Sequence, residues 1–145
     1  MYSIGGISVL ESMFDVSILY RRRKMFMSKM LESHGALGIF HLTVAALSLH
    51  NGASQEQLAS VLKCDKATIT NAVKKLESEG FVRRRSSDED RRANKVFLTP
   101  KAIALVPKIE AAHRKWLIKI SAGFSSDDLD RFLYTFHQAA SSASK

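Results

Sequence analysis

The sequence predicts a mainly α chain with a small β component, an α+β fold in which one hairpin interrupts a series of helices. Three observations lead there. Only 7 Gly and 2 Pro among 145 residues leave little room for long loops. Apolar residues recur at three- and four-residue spacing along most of the chain, the period of a helix with one buried face. A single stretch, FVRRRSSDEDRRANKVFLTP at 81–100, instead has strand composition on both sides of a polar tip.

Taken in order, residues 8–32 carry Leu10, Phe14, Ile18 and Met25 at helical spacing. Residues 37–50, LGIFHLTVAALSLH, are apolar nearly all round, which suits a central buried helix, and Asn51-Gly52 supplies its stop. Ser54 with Gln57 has capping-box spacing and opens a short helix through Leu62. Lys63-Cys64-Asp65 makes a three-residue turn, with Asp65 placed to cap the next helix. There Ile69, Ala72, Val73 and Leu76 form the buried stripe, and Gly80 ends the helix. The opposite arc holds Ala67, Thr68, Thr70, Asn71, Lys74, Lys75 and Ser78, small polar and basic groups without an acid.

FVRRRS and KVFLT then read as two strands around the tip SDEDRRAN. After Thr99-Pro100 one long helix is expected to about Ile120, with Ile103, Val106, Ile109 and Leu117 on its apolar side. Ser125, with Asp128 at the capping-box position, starts a last helix striped by Leu129, Phe132, Leu133 and Phe136. The tail SSASK is expected to fray.

At this length one domain with a single core is expected. The net charge of +8 favours an acidic partner, nucleic acid ahead of a membrane surface. A lone cysteine, Cys64, excludes an internal disulfide framework and fits a reducing compartment. The first residues, MYSIGGISVLESMFDVS, lack the basic start and continuous apolar run of a signal peptide. No apolar run approaches the ~18 residues of a membrane span, so no membrane partner and a cytoplasmic location are expected. There is no glycine-rich phosphate loop, no H-E-x-x-H and no nucleophile elbow, so the chain does not read as an enzyme.

Helix, short turn, helix and hairpin follow one another in the order of a winged helix-turn-helix. The second helix fits the major groove, which admits one α-helix, and a hairpin with an arginine-rich tip can reach phosphates or the adjacent minor groove. The stretch 81–100 holds five arginines and three acids; in isolation that would read as a solvated loop, but two apolar strands hold it. On this reading Lys66, Thr68, Thr70, Asn71, Lys74 and Lys75 face the major groove, Arg84 and Arg85 support the wing, and Arg91 and Arg92 contact DNA from its tip.

The same residues resemble the MarR family of transcriptional regulators. The pattern D-x-x-T-x-T-x-x-V-x-x-L-E-x-x-G is matched at Asp65, Thr68, Thr70, Val73, Leu76, Glu77 and Gly80. The wing signature is matched at Val82 and Arg84, Asp90 and Arg92, and Leu98 and Thr99, and FSSDDL is similar to the start of the family's last helix. The resemblance covers about residues 36–140. It implies a single domain over 1–145, with a winged helix-turn-helix core at about 36–102, the helix-turn-helix at about 54–79 and the wing at about 81–99. Segments of about 1–34 and 101–142 would be dimerisation helices.

It further implies a homodimer on double-stranded DNA with a palindromic operator, acting as a repressor released by a small-molecule effector. Arg92 would reach the minor groove and Asp90 would help hold the tip. Tyr20, Phe40, His41 and His113 would line the effector pocket. The chain departs from the family at Ala67, where Ser is common, at Asn71, where Arg is frequent, at Phe40, where Gln is frequent, and at Ala102, where Gly is usual. The first two departures leave base preference open.

Other readings carry less. Four successive basic residues, Arg21 to Lys24, point in all directions on a helix and read as a solvated surface. Cys64 reads as a partly buried structural thiol, with a redox-responsive sensor as the alternative. The histidines at 34, 41, 50, 113 and 137 show no close metal-ligand spacing, so no metal or other cofactor is expected, a metal-responsive sensor being the alternative. A winged-helix interaction protein with weak DNA binding would show acids on the recognition arc or a wing without arginine; neither is present. Exposed aromatics arranged to stack RNA bases are also missing.

Overall fold

The computed structural model describes residues 3–86 and 94–145, so Asp90, Arg91 and Arg92 lie outside the described residues. A small hairpin, β1 (Ser3–Ile4) and β2 (Ile7–Ser8), turns at Gly5-Gly6 and leads into α1 (Val9–Met30). A capping box starts α1: the Glu11 backbone N–H donates to Ser8 Oγ (3.1 Å) and the Ser8 N–H donates to Glu11 Oε2 (2.8 Å). A 3₁₀ turn at Glu32–His34 leads to α2 (Leu37–Leu49), whose N-cap is tied to Glu79: the Ala36 N–H donates to its Oε2 at 2.7 Å.

The predicted capping box of Ser54 and Gln57 opens α3 (Gln55–Leu62). Asp65 then caps α4 (Lys66–Ser78), accepting from the Thr68 N–H at 2.7 Å. The wing strands are β4 (Val82–Ser86) and β5 (Asn94–Leu98), antiparallel, with Val82 opposite Leu98 and Arg84 opposite Val96.

Sequence reasoning missed a third strand. β3 (Ala53–Ser54) pairs with the other edge of β5, giving the order β3-β5-β4. Two residues are too few to show alternation, and Asn51-Gly52 reads as a helix stop. Both residues do more than stop α2. The Leu98 N–H donates to Asn51 Oδ1 (2.9 Å) and the Gly52 N–H donates to the Val96 carbonyl (2.9 Å). Gly52 has φ +83, and a Cβ there would meet the Phe97 ring at 2.9 Å, so the root of the wing closes only around glycine.

The single helix expected from Pro100 to Ile120 is two. α5 (Pro100–Ile103) ends at Ala104-Leu105, and α6 (Val106–Ile120) starts afresh. Pro107 has no N–H to offer the Ile103 carbonyl, and its ring would crowd that carbonyl in a continuous helix. α7 (Ser126–Ala143) begins with the expected capping box of Ser125 and Asp128 and stays helical to Ala143, past the point where fraying was expected. The Ser144 hydroxyl donates to the Ala140 carbonyl at its end (2.7 Å). Among the described residues no helix is long and apolar enough to cross a membrane.

The core gathers Leu37, Val44 and Leu47 of α2, Leu58 of α3, Ile69, Val73 and Leu76 of α4, and Phe81, Val82, Val96 and Leu98 of the wing root. From α1 and its C-cap it takes Met27 and Leu31, whereas Leu10, Phe14, Ile18 and Met25, the residues at helical spacing, stand exposed. On α6 the buried residues are Ile109, Ala112 and Trp116, whereas Ile103 of α5 is exposed. The Trp116 ring lies 5.6 Å from that of Phe26. α7 buries nothing.

Candidate nucleic-acid interface

The recognition surface begins with the docking of α4. Ile69, Ala72, Val73 and Leu76 are buried against the body, so the arc opposite them is turned to solvent. Lys66, Ala67, Thr68, Thr70, Asn71, Lys74, Lys75 and Ser78 are all exposed on it, as the sequence predicts. The first turn of that arc is internally tied. Lys66 Nζ donates to Glu56 Oε1 at 2.6 Å, and the Thr68 hydroxyl donates to Asp65 Oδ2 at 3.0 Å. The Thr70 hydroxyl has two acceptors within reach, the Lys66 carbonyl (2.9 Å) and Gln55 Oε1 (2.8 Å).

These contacts hold α3 and α4 to one another across the turn that contains half-buried Cys64. The Lys66–Glu56 pair is exposed on both sides, so it adds little to stability. Its effect is to place one acid beside a lysine that phosphate would otherwise attract.

The two predicted wing-supporting arginines act differently. Arg84 lies on the strand face turned to α4, where its Nε and Nη2 both donate to Glu77 Oε2, at 3.0 and 2.6 Å. That bond holds the Glu77 carboxyl below its ordinary pKa and raises the guanidinium of Arg84. Arg85 lies on the opposite face, its guanidinium carbon 5.7 Å from the Phe97 ring centre. Arg83 shares that outer face and is exposed.

The wing root is fastened a third time at its end. The Thr99 N–H donates to the Phe81 carbonyl (3.0 Å), and Lys101 Nζ, over the Phe81 ring, donates to the Glu79 carbonyl (2.8 Å). The base of the hairpin is therefore aimed by α4 itself. The tip residues Asp90, Arg91 and Arg92 lie outside the described residues.

The four expected pocket residues lie on three helices, Tyr20 on α1, Phe40 and His41 on α2, and His113 on α6. His41 of α2 is only 6% exposed, and its ring Nδ1 lies 3.2 Å from the Gly38 carbonyl. A carbonyl can only accept, so the neutral ring carries its proton on Nδ1. Nε2 is left buried and without a partner among the described residues. His113 of α6 and Arg23 of α1 lie near enough for their charges to act on it. Phe40 is half-buried against the core at a local kink in α2, and Tyr20 stands 61% exposed on α1.

Arg23 belongs to the basic run Arg21 to Lys24 and is half-buried, unlike its exposed neighbours. It lies four and eight residues before Met27 and Leu31, and that spacing is the signal that places it on the inner face. Burial pushes the His41 pKa down; the bond to Gly38 opposes this, and Arg23 and His113 add to the lowering. His113, although its surface is exposed, is shifted the same way by partial desolvation and then by Arg23.

A lowered histidine pKa in the folded state means that the unfolded chain binds protons more readily. Stability from this pair is complete above the ordinary histidine value of ~6.5 and falls as pH drops below it. Urea unfolding between pH 8 and pH 5 is expected to show that fall, and His41→Leu with His113→Gln to flatten it. An unchanged pH slope in the double variant contradicts the assignment.

Comparison with known proteins places this geometry. A family model for the MarR family matches residues 41–93. A MarR transcriptional regulator from Methanosarcina mazei is 28% identical, with 89% of this chain and 93% of that one covered at a TM-score of 0.83. The transcriptional regulator SlyA superposes at 0.86 with 17% identity, covering 92% of this chain and 94% of its own. A MarR-family protein of Listeria monocytogenes, complexed with 26-mer DNA, is 17% identical and superposes at 0.85, covering 99% and 91%. The last two matches bear on the fold alone.

Proposed function

We propose that this chain is a MarR-family winged helix-turn-helix regulator, a ligand-responsive repressor binding a palindromic operator as a homodimer, a reading supported by the family-model match and by the Methanosarcina mazei relative. The observation that carries DNA binding is the solvent arc of α4, basic and polar without an acid, beside a hairpin whose base α4 holds through Glu77 and Arg84. Lys66, Lys74 and Lys75 supply phosphate charge, while Thr68, Thr70 and Asn71 meet base edges or phosphates. Arg85 lends charge on the wing's outer face. Arg91 and Arg92 reach DNA from the tip, positioned by Asp90. The fold shared with a Listeria monocytogenes protein complexed with 26-mer DNA supports double-stranded DNA as the partner.

Two faces support the homodimer. α1 exposes Leu10, Met13, Phe14 and Ile18, and α7 exposes Leu133, Tyr134 and Phe136. The single chain presents 10406 Å² to solvent, whereas a self-contained protein of 16.2 kDa presents about 7,500 Å². The excess supports a surface that a partner covers. Residues of about 1–34 and 101–142 supply the dimer and about 36–102 the DNA-binding core. Two-fold symmetry then sets the recognition helices about 34 Å apart, one DNA turn. The effector would bind near His41, whose buried Nε2 has no partner among the described residues and so supports a polar ligand there; Phe40, His113 and Tyr20 would complete that proposed pocket.

Titration of operator DNA tests the reading. Affinity is expected to fall steeply with salt, because each Lys or Arg that meets a phosphate releases counterions. A flat dependence of log affinity on log salt would remove the electrostatic basis. Arg92→Ala is expected to weaken binding by about 1–3 kcal/mol with the dimer intact. Unchanged affinity at fixed salt would remove the wing tip from the interface.

A further inference from the structure

Three features of α4 bear on which bases it can read. Ala67, Asn71, Lys74 and Ser78 recur at three- and four-residue spacing along the centre of the solvent arc, opposite Ile69, Ala72, Val73 and Leu76. Guanine presents only acceptors in the major groove, N7 and O6, so reading it takes a strong donor, most often arginine. No arginine lies on this arc, and Lys66 at its start is engaged by Glu56. The Thr70 hydroxyl spends its proton on the Lys66 carbonyl or on Gln55 Oε1, so lone pairs and a methyl group are what it has left for the groove.

The remaining groups share one preference. The Asn71 amide is exposed and bonds no described residue, and an amide pairs with adenine in two bonds, to N6 and N7. The methyl groups of Ala67 and Thr70 match the thymine C5 methyl. Lys74 bonds no described residue, but it sits two turns in, whereas a recognition helix reads bases with its N-terminal residues.

We propose that α4 reads an A·T-rich half-site, with Asn71 bonded in two places to an adenine and the Ala67 and Thr70 methyl groups against neighbouring thymines. This rests on the DNA-binding reading above. It also gives the α3 contacts a role: Glu56 and Gln55 compete with guanine for the Lys66 ammonium and the Thr70 hydroxyl.

The test is selection of bound duplexes from a random pool by the full-length protein, followed by single-atom changes in the selected DNA. Half-sites rich in A·T are expected. Exchanging the contacted adenine for 7-deazaadenine is expected to weaken binding on the order of ten-fold, the scale of one lost base contact. Asn71→Ala, at an exposed helical position, is expected to abolish that sensitivity, and uracil for thymine to weaken binding a few-fold.

Selected half-sites whose affinity depends on guanine N7, seen with 7-deazaguanine, would overturn the assignment while leaving sequence-specific binding in place. So would a 7-deazaadenine effect that persists in Asn71→Ala. A pool bound without enrichment would overturn the assignment and the reading beneath it together.

Discussion

Replacing Phe14 and Phe136 together by glutamate is expected to leave a helical monomer whose operator affinity is lower by about 10²- to 10⁴-fold. The two rings are 62% and 56% exposed in the single chain, on helices whose apolar faces find little of their own protein to cover them. Phe136 stacks on Phe132 at 5.5 Å, and Phe132 meets Phe124 edge-on at 5.9 Å, so α7 and the turn before it carry a preformed aromatic ridge. A ridge of this size left in water is a liability unless another surface covers it. Four carboxylates brought together across a two-fold axis would be desolvated and mutually repelled, so the interface opens.

The loss in DNA binding follows without touching a DNA contact. Joined half-site binders see the second half-site at an effective concentration set by their linkage, and a monomer forfeits that gain. Light scattering reads the mass and gel-shift titration the affinity. A wild-type protein that is monomeric at micromolar concentration would contradict the dimer, as would a double variant that remains dimeric. Circular dichroism separates dissociation from unfolding, because α2 to α6 bury their own core.

The contrast between helices explains what could be read from the sequence and what could not. α4 was legible in full: its cap at Asp65, its buried stripe and its polar arc all fall on one short helix whose two faces differ in chemistry. The wing strands were legible because apolar ends flank a charged middle. α1 and α7 were legible only in part. Their periodic apolar residues are real, but periodicity states only that a face avoids water, not whether the same chain covers it. On α1 the stripe at Leu10, Phe14 and Ile18 is the uncovered one, and Met27 and Leu31 form the covered one.

The break at Ala104-Leu105 was missed because hydrophobic spacing continues across it; Pro107 alone marks it. β3 is two residues long and owes its existence to the edge of β5, so no local pattern announces it. At the site, the bonds of Arg84 to Glu77 and of Lys66 to Glu56 are tertiary. They join residues 7 and 10 positions apart that no helical or strand period relates.

Leu76→Ala is expected to destabilise the fold by about 2–5 kcal/mol, the range for truncating a buried leucine. Leu76 is 0% exposed and lies one residue before Glu77, so it sits where α4 meets both the body and the wing. A cavity there removes contacts on which the direction of the arc depends, and Glu77 can then hold Arg84 in more than one geometry. Operator affinity is therefore expected to fall in step with stability and to recover when an unrelated stabilising condition, such as an excluded osmolyte, restores the fold.

Lys74→Ala, two residues before Leu76, makes the opposite case. Its side chain is exposed and alanine is the stronger helix former, so melting temperature should hold or rise slightly while affinity falls and the salt slope shrinks by about one. Chemical denaturation and salt-dependent titration of the two variants separate the helix's buried and groove-facing sides. If Leu76→Ala lost affinity without losing stability, or Lys74→Ala lost stability without losing affinity, α4 would not be oriented toward DNA as its burial pattern requires.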